Sequence, residues 1–480
     1  MRLVESRPAS STMASPTSVG EWVQRVGLAL LLLEVATAPM WYGAVLPDGK
    51  FLLEILAFTT AALATISSPR SSMGWARIPI FSTLALAALG AFQLLGLPHG
   101  WISRLSPNSA LLYGRTQNVT ALFRRPPLVW RISVSPGETA SASLLIAAYA
   151  ALFFSAALLG SSRNRRRFVQ GAILAAGIVY AGFAAITEAP IDRIHGPFVN
   201  PNHLAGYLEI GLCLAFGLLW TEILVNRERA AGLSDKRERL ERRLFAMGWK
   251  IILWSVVAAA LALTRSRGGI SAAVLTSAIV FLLALSRRGR ERKWSVAWRS
   301  GAILLTGIAV TAFAVGRYPL LRFLISDPRD PSSDLRTTLW KISIEAWRSF
   351  PLLGSGLGAF REAFRLVQPA DLPLLVEQAH DSFLQILVTG GLIGATLSVL
   401  TVGSLLIVLL RAWRLEPHRE ERSLLLAAAG VLISLCMHDL VEFNFSVPAI
   451  PATMAIALGT AWAGRSDPDR LPAPRPAAAD

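Results

Sequence analysis

The sequences RTTLWKISIEAWRSF (Arg336–Phe350), GSGLG (Gly354–Gly358) and QAHDSF (Gln378–Phe383) lie in the longest polar interruption of an otherwise almost continuously apolar chain. In the first of them, apolar residues recur every three or four positions beside an arginine-led polar face. That spacing predicts an amphipathic helix that lies against a membrane or a helical bundle. His380 and Asp381 lie where the chain re-enters an apolar run, so we expect a functional site at this boundary.

The composition indicates an integral membrane protein. Of the 480 residues, 53% are hydrophobic and only 16% are charged, whereas soluble domains of this length carry more charge. The net charge of +16 alone is compatible with nucleic-acid binding. The basic residues cluster in short loops between apolar runs, however, which is typical of a multi-spanning protein. We therefore expect a lipid bilayer, and no nucleic acid, as a partner.

Apolar runs of about 17 to 25 residues can each cross the hydrocarbon core of a bilayer. They predict an all-α fold, a polytopic membrane helix bundle over residues 26–463 with about twelve transmembrane helices. We expect residues 1–25 to be cytoplasmic and residues 464–480, rich in Pro and Ala, to form a disordered cytoplasmic tail. The predicted spans are 26–46, 51–67, 78–97, 141–160, 168–187, 204–225, 248–264, 268–285, 300–317, 382–410, 423–441 and 448–463.

The charges between the apolar runs predict the orientation of the bundle. Alternate loops carry basic sequences such as RNRRR (Arg163–Arg167), and the positive-inside rule places these loops in the cytoplasm. The intervening loops then face outward, including 98–140 and a long periplasmic loop at 318–381 that carries amphipathic helices. This pattern predicts a multi-pass protein of the bacterial inner membrane.

The first of four polar clusters at the outward ends of the spans is HGPFVNPNHLAGYLEIG (His195–Gly211). Its prolines hold the loop extended, and Asn202 is placed to cap a helix that opens at His203. The cluster is either part of a binding site or a helix-capping loop with a histidine at the wet interface.

The second cluster, TRSRGG (Thr264–Gly269), is a tight connection that places Arg265 and Arg267 at or just below the membrane surface. Arginine is costly near hydrocarbon, so each side chain either faces a cavity or a partner, or snorkels to the lipid headgroups. Gly268 and Gly269 permit close backbone approach, which favours a packed site.

The third cluster is the amphipathic segment itself, where Arg336 either faces an anion or pairs with Asp334. The fourth is HDLVEFNFSVP (His438–Pro448), where Asp439 and Glu442 gather at the outward end of a span. Carboxylates so near a bilayer are functional candidates, or they are counter-ions for the arginines of the other clusters.

Together, the clusters predict an outward-facing polar cavity that binds a diphosphate, because arginine holds diphosphates through bidentate, charge-assisted hydrogen bonds. A diphosphate outside the cytoplasm suggests a lipid-linked donor. Such a donor is already activated, so the protein need only stabilise the departing diphosphate and remove a proton from an acceptor hydroxyl. Asp381 either orients the ring of His380 or caps the following helix. No metal-ligand spacing or phosphate-binding glycine motif occurs, so no metal and no cofactor are expected.

The sequences GPFVNPNHLAGYL, SRGG, RTTLWKISIEAW with PLLGSGLGAF, and HDSFLQILVTGGLIG resemble, in order and spacing, the O-antigen ligase/polymerase superfamily over about residues 150–460. The resemblance implies a membrane fold like that of the C-type glycosyltransferases. It implies a metal-independent, inverting transfer of a glycan from a polyprenyl-diphosphate carrier to a hydroxyl. It also implies that Arg267 and Arg336 bind the diphosphate and that His380 is the general base. The other predicted substrate-binding residues are Arg265, His203, Asn202, Asp381, Asp439 and Glu442.

The sequence leaves the acceptor open among another lipid-linked glycan, the lipid A core and a protein serine or threonine. The competing function is a transporter or flippase of the same lipid-linked glycan. A transporter is expected to spread its polar groups to the midplane and to show inverted halves, whereas here they crowd one face. A third possibility, a purely structural membrane protein, does not explain why arginines lie at the outward face.

Overall fold

The computed structural model describes residues 19–68, 73–188, 193–229, 236–286, 301 and 332–463, and within these ranges every regular element is a helix. The helices of four or more residues are Val19–Thr37 (α1), Met40–Ala44 (α2), Pro47–Ser67 (α3), Arg77–Gln93 (α4), His99–Leu105 (α5), Pro107–Leu122 (α6), Pro136–Leu159 (α7), Arg163–Thr187 (α8), Pro201–Arg229 (α9), Lys236–Leu263 (α10), Arg267–Ser286 (α11), Ser332–Ser349 (α12), Phe360–Val367 (α13), Ser382–Leu415 (α14), Arg419–His438 (α15) and Ala449–Ala463 (α16).

The protein is an all-α, multi-pass membrane protein, as predicted. Within the described ranges, nine helices are long and apolar enough to cross a bilayer. Nine of the predicted spans overlap these nine helices. The predicted span 448–463 coincides with α16, which is only 15 residues long, and the predicted span 26–46 is divided between α1 and the short element α2, whose residues Trp41, Tyr42 and Ala44 have left-handed φ values. The predicted span 300–317 and the tail 464–480 lie outside the described residues, as does most of the N-terminal segment 1–25.

The core of the bundle is formed by helices that have no polar face. α9 and α16 are apolar around most of their circumference, and such helices are buried on all sides. α9 packs against α15, and α16 packs against α7. Small residues permit these close approaches: a methyl group added at Gly217 would lie 2.7 Å from Ala427 Cβ, and one at Gly459 would lie 2.3 Å from Phe153 O. Close packing of this kind stabilises helix pairs in membranes.

The segment predicted as an outward loop at 98–140 contains two short helices, α5 and α6. They pack against each other through a small apolar cluster of Ile102, Ala110 and Ile132. Their apolar residues are too few and too interspersed with polar ones to predict a span. No membrane span is therefore predicted here, and the two helices are too short to cross a bilayer.

The glycine-rich turn Gly354–Gly358 docks onto a break in α14. Gly354, Gly356 and Gly358 all have positive φ, and so does Gly391 inside α14. A methyl group at Gly354 would lie 2.2 Å from Thr389 O. Only glycine adopts such backbone angles without strain and allows this approach, so the turn fixes where α14 begins relative to α12.

We expect Gly354→Ala to destabilise the fold strongly. Overpacking costs about 1–3 kcal/mol, and the left-handed backbone of a non-glycine residue adds about 1–3 kcal/mol. The measurement is the thermal unfolding midpoint of the purified protein. The control is Gly403→Ala in α14, the helix on which the turn docks, because an added methyl group there meets no described atom within 4 Å. Equal midpoints for the two variants would contradict this account of the turn.

The two ends of the bundle collect different groups of helix termini. The starts of α9 and α14 and the end of α15 meet at one end, where side chains of Asn202, His380 and Glu442 are in contact. The starts of α8 and α15 and the second half of α9 meet at the other end, where Arg166 pairs with Glu421. This arrangement matches the alternation of basic loops in the sequence.

Topology reporters fused near residues 235 and 290 are expected to be cytoplasmic, and one near residue 365 periplasmic. The physical reason is the retention of basic loops on the cytoplasmic side during insertion. Phosphatase and fluorescent-protein fusions measure the two sides independently. A cytoplasmic signal at residue 365 would place the candidate site on the wrong face for the chemistry proposed below.

Candidate functional site

The candidate site converges on Glu442. Its side chain is buried, and it contacts groups from three separate parts of the chain. Asn202 Nδ2 donates to Glu442 Oε1 over 2.5 Å, and Arg336 Nη2 donates to the same oxygen. His380 Nδ1 lies 3.6 Å from Glu442 Oε2. One carboxylate therefore holds a guanidinium and an imidazole at fixed positions relative to each other.

Arg336 is held by the amphipathic helix α12. The apolar stripe of this helix consists of Leu339, Ile342, Ala346 and Phe350. It is buried against α13 and against the segment before α14. Arg336 lies in the first turns of α12, beside that stripe, and its side chain is 28% exposed. Its ion pair is with Glu442, so the fourth cluster supplies the counter-ion for the third. The side chain of Asp334, the predicted alternative partner, lies outside the described residues.

His380 stands directly before α14 in a strained backbone conformation. Its φ is +53°, a left-handed value that a histidine rarely adopts. Asp381 caps α14, because its Oδ1 accepts the backbone N–H groups of Phe383 and Leu384, each at 2.9 Å. The sequence predicts that Asp381 either orients the ring of His380 or caps the following helix, and in the structure it caps the helix. The partner of the imidazole is Glu442, far away in the sequence.

Phe443 stands between two histidines. Its ring meets the edge of His380 with centroids 4.8 Å apart, and the edge of His203 with centroids 4.6 Å apart. His203 is buried, and its Nδ1 lies 3.2 Å from Asn444 Oδ1. His203 therefore contacts protein groups in this structure, and it packs against Phe443, which in turn packs against His380.

Asp439 ties the segment after α15 to the start of α14. Its buried carboxylate accepts hydrogen bonds from Ser382 Oγ (2.7 Å), from Asn444 Nδ2 (2.7 Å) and from the backbone N–H of Phe445 (2.9 Å). The backbone N–H of Ser382 donates in turn to the carbonyls of Asp439 and Glu442, at 3.0 and 3.1 Å. These bonds place Glu442 beside His380.

The three carboxyl groups of the site differ in their titration. Burial raises the pKa of Asp439 to about 6, against the effect of its hydrogen bonds. Burial also raises the pKa of Asp381, and the N–H groups that it caps oppose this rise. For Glu442 burial acts in the same direction, but His380 and Arg336 outweigh it and hold the pKa of that carboxyl below its usual range. Glu442 is thus the carboxylate that stays ionised under mildly acidic conditions.

Arg193 links the first and second clusters. Its Nη2 donates to Asn202 Oδ1 over 2.6 Å, and its Nε donates to the carbonyl of Thr264 over 2.8 Å. The prediction that Asn202 caps α9 is wrong, because α9 begins at Pro201 and Asn200 Oδ1 accepts the Asn202 N–H at 2.9 Å. The side-chain amide of Asn202 instead bonds Glu442 and Arg193.

Arg267 is the exposed first residue of α11, and Arg265 precedes it with a left-handed φ of +52°. The two glycines that follow Arg267 allow α11 to start against α15. A methyl group at Gly268 would lie 3.0 Å from His438 Cδ2, and one at Gly269 would lie 3.1 Å from His438 Cε1. The predicted close backbone approach at these glycines is therefore present.

The sequence alone assigns no role to several residues that shape the site, although Glu209, His438 and Phe443 lie within the quoted clusters. Arg193 lies in a short connection and has no motif around it. Phe443 reads as an ordinary core aromatic. The fully buried pair of His438 and Glu209 has its Nδ1 and Oε1 atoms 2.6 Å apart, and Ser434 Oγ donates to Glu209 Oε2 over 2.6 Å. The one available signal was the presence of a histidine and a glutamate within apolar runs, where ionisable residues need partners.

A cavity of about 370 Å³ begins beside the site and runs along α14. Near the site it is lined by Gln378, Ser382 and Ser446. Farther along it is walled by mainly apolar side chains of α4, α7, α14 and α16, as far as Leu405. The cavity therefore has a polar end at the start of α14, next to His380 in the sequence, and apolar walls along α14.

Residues 251–399, less than half of the chain, match the family model described as O-antigen ligase. The match confirms the predicted resemblance to the O-antigen ligase/polymerase superfamily and supports a function of this type. Arg265, Arg267, Arg336, His380 and Asp381 lie inside the matched region, whereas Asn202, His203, Asp439 and Glu442 lie outside it. No curated protein matches the chain.

Proposed function

We propose that this protein is a glycosyltransferase of a bacterial inner membrane, which moves a glycan from a polyprenyl-diphosphate carrier to an acceptor hydroxyl at the periplasmic face. One observation carries the proposal: Arg336 and His380, an anion-binding group and a base, meet at the buried carboxylate of Glu442. Both residues also lie in the region that matches the family model. The acceptor is a second lipid-linked glycan, the lipid A core or a protein hydroxyl.

In the proposed reaction, His380 removes the proton of the acceptor hydroxyl while the acceptor oxygen attacks the anomeric carbon. The bond from that carbon to the diphosphate breaks as the new bond forms on the opposite face, so the configuration is inverted. The diphosphate leaves with the bonding electrons, and Arg336 and Arg267 stabilise its charge without a metal ion. Glu442 faces Nδ1 of His380, so it holds the imidazole in position while the proton is transferred.

The cavity along α14 supports a lipid-linked donor. Its polar end lies beside the segment before α14, and its apolar walls extend for several helical turns. An isoprenoid chain buried against these walls would leave the diphosphate near Arg336. Arg265, Asn202 and Asp381 are proposed to frame the polar end, and the buried His203 and Asp439 to hold it in shape.

The experiment that tests the proposal uses the purified protein in nanodiscs with a lipid-linked glycan donor and candidate acceptors. A transferase releases polyprenyl diphosphate and extends the acceptor. A transporter or flippase moves the donor across a vesicle bilayer and leaves it intact. Translocation without any release of polyprenyl diphosphate would favour the transporter and overturn the proposal.

Arg336→Ala is expected to weaken donor binding by roughly 10- to 100-fold, because hydrogen bonds to charged groups contribute about 1.5–3 kcal/mol. Arg336→Lys is expected to restore only part of the affinity, since lysine supplies charge without the planar fork. The measurement is the dissociation constant of the donor in nanodiscs. Arg348→Ala, at the exposed end of the same helix, is the matched control. Wild-type affinity in Arg336→Ala would remove this residue from the donor site.

A further inference from the structure

A second cavity, of about 590 Å³, lies at the opposite end of the bundle from the candidate site. It is bounded by α8, α9, α10 and α15. Arg163, Arg167 and Gln170 line it at successive turns of α8, and Leu174 and Ile178 continue the same face of that helix toward the middle of the bundle. The cavity is therefore basic at its mouth and apolar at depth.

The mouth of the cavity concentrates positive charge. The guanidinium groups of Arg163 and Arg167 are about half exposed and share one carboxylate oxygen of Glu420. Over the whole lining, four cationic side chains face three carboxylates; they are Arg163, Arg166, Arg167 and Lys250 against Glu222, Glu420 and Glu421. A guanidinium group carries five N–H donors, so Arg167, which bonds Glu420 through Nη2, can also bind a further anion.

Two buried donors of α8 are unsatisfied in this cavity. Gln170 is 5% exposed, and its Nε2 has no hydrogen-bond partner among the residues that the structure describes. Arg166 is 1% exposed; it pairs with Glu421 at 2.5 Å, yet its Nε has no partner in the described part of the chain. Buried polar groups are nearly always hydrogen-bonded. An unsatisfied amide and guanidinium N–H in a cavity therefore point to an acceptor supplied by a ligand.

The deep part of the cavity has the chemistry of an acyl-chain site. Its walls are aliphatic side chains, among them Leu174 and Ile178 of α8, Leu218 of α9 and Leu253 of α10. Gly171 opens the wall between the polar and apolar parts, because an added methyl group there would meet no described atom within 4 Å. A free inorganic anion would use the mouth alone, whereas a lipid uses both parts.

We propose that this cavity binds an anionic phospholipid of the adjacent leaflet. Its phosphate oxygens accept hydrogen bonds from Arg167 and Gln170, and one acyl chain packs against Leu174 and Ile178. Basic pockets between transmembrane helices are suited to anionic headgroups, and guanidinium groups bind phosphate bidentately. The proposal is independent of the reaction proposed above, because the two cavities lie at opposite ends of the bundle.

The test measures lipids retained by the purified full-length protein in native mass spectrometry, after addition of phosphatidylglycerol or of phosphatidylcholine with the same acyl chains. We expect phosphatidylglycerol to be retained about tenfold more tightly. Arg167→Ala combined with Gln170→Leu should remove this preference, a change of about tenfold that corresponds to about 1.4 kcal/mol. Arg165→Ala is the matched control: it removes a charge from the same turn of α8, but its side chain bonds Gln24 and does not line the cavity.

Gly171→Phe provides a second variant, which fills the cavity without removing a charge. Phosphatidylglycerol is expected to raise the thermal unfolding midpoint of the wild type and of Arg165→Ala, but not that of Gly171→Phe. Equal retention of the two lipids by the wild type would overturn the proposal, as would an equal loss in Arg165→Ala. Inorganic phosphate that stabilises the protein as well as phosphatidylglycerol does would identify a free-anion site instead, and would also overturn it.

Discussion

Replacing His380 by alanine is expected to lower turnover by about 10²–10⁴-fold, the usual contribution of a general base. The acceptor hydroxyl is a weak nucleophile, and a neutral imidazole is a suitable base for its proton. Donor binding should persist, because it rests on the arginines. Single-turnover kinetics with a lipid-linked donor, beside the dissociation constant of that donor, separate these two effects.

The side chains chosen for His380 must respect its left-handed backbone, with φ at +53°. Asparagine tolerates this conformation better than most residues, so His380→Asn tests the loss of the base with the least strain. His380→Gln can donate and accept hydrogen bonds, but it cannot take up the proton. Substantial activity in His380→Gln, with a pH–rate profile like that of the wild type, would show that His380 positions the acceptor and is no base. His418→Ala, at the other end of α14, is the control histidine.

Glu442→Ala is expected to cause the second large loss, in both activity and stability. Removing one partner of a buried ion pair destabilises a protein by about 3–5 kcal/mol, and here the lost carboxylate also holds His380 and Asn202. Glu442→Gln should keep the hydrogen bond to Asn202 but leave the charge of Arg336 without its counter-ion. Because His380 and Glu442 act together, the loss in the double variant should be much smaller than the product of the two single losses.

The pH dependence of stability provides a separate measurement for Glu442. Its folded-state pKa lies below the usual value of 4.5, so its ionised form stabilises the fold. That contribution is complete above pH 4.5 and is lost as the pH falls through the folded-state pKa. The stability difference between wild type and Glu442→Gln should therefore be constant near neutrality and shrink in acid. The buried Asp439, whose pKa is raised to about 6, titrates with the opposite sign but is present in both proteins. Glu345→Gln, on the exposed face of α12, is the control variant.

Much of the candidate site could be predicted from the sequence because its polar residues interrupt apolar runs. Ionisable side chains at the end of a span need partners or a cavity, so Arg336, Asp439 and Glu442 are candidates on the sequence alone. The role of Asn202 could not be predicted in the same way. A cap is set by the residue at which the helix begins, and that boundary shifted by two residues, from His203 to Pro201.

The sequence by itself determined that this protein is a bundle of membrane helices with polar clusters at their ends. In a bilayer each apolar run must satisfy its own backbone hydrogen bonds, so a run of sufficient length becomes a helix whatever its neighbours are. Local signals were also sufficient for the helix α12 and for the glycine turn that follows it, since spacing and glycine content act over a few residues.

Only the tertiary structure decided which of the polar residues meet. Asp381 adjoins His380 in the chain, yet it caps α14, while the partner of His380 is Glu442 on a different segment. Arg336 likewise pairs with Glu442 across 106 positions. Such pairings depend on how α12, α14 and α15 pack, and on a left-handed residue and a broken helix that no local pattern predicts. The physical reason is that side-chain packing fixes the relative positions of helix ends, whereas the apolar runs fix only that those ends exist.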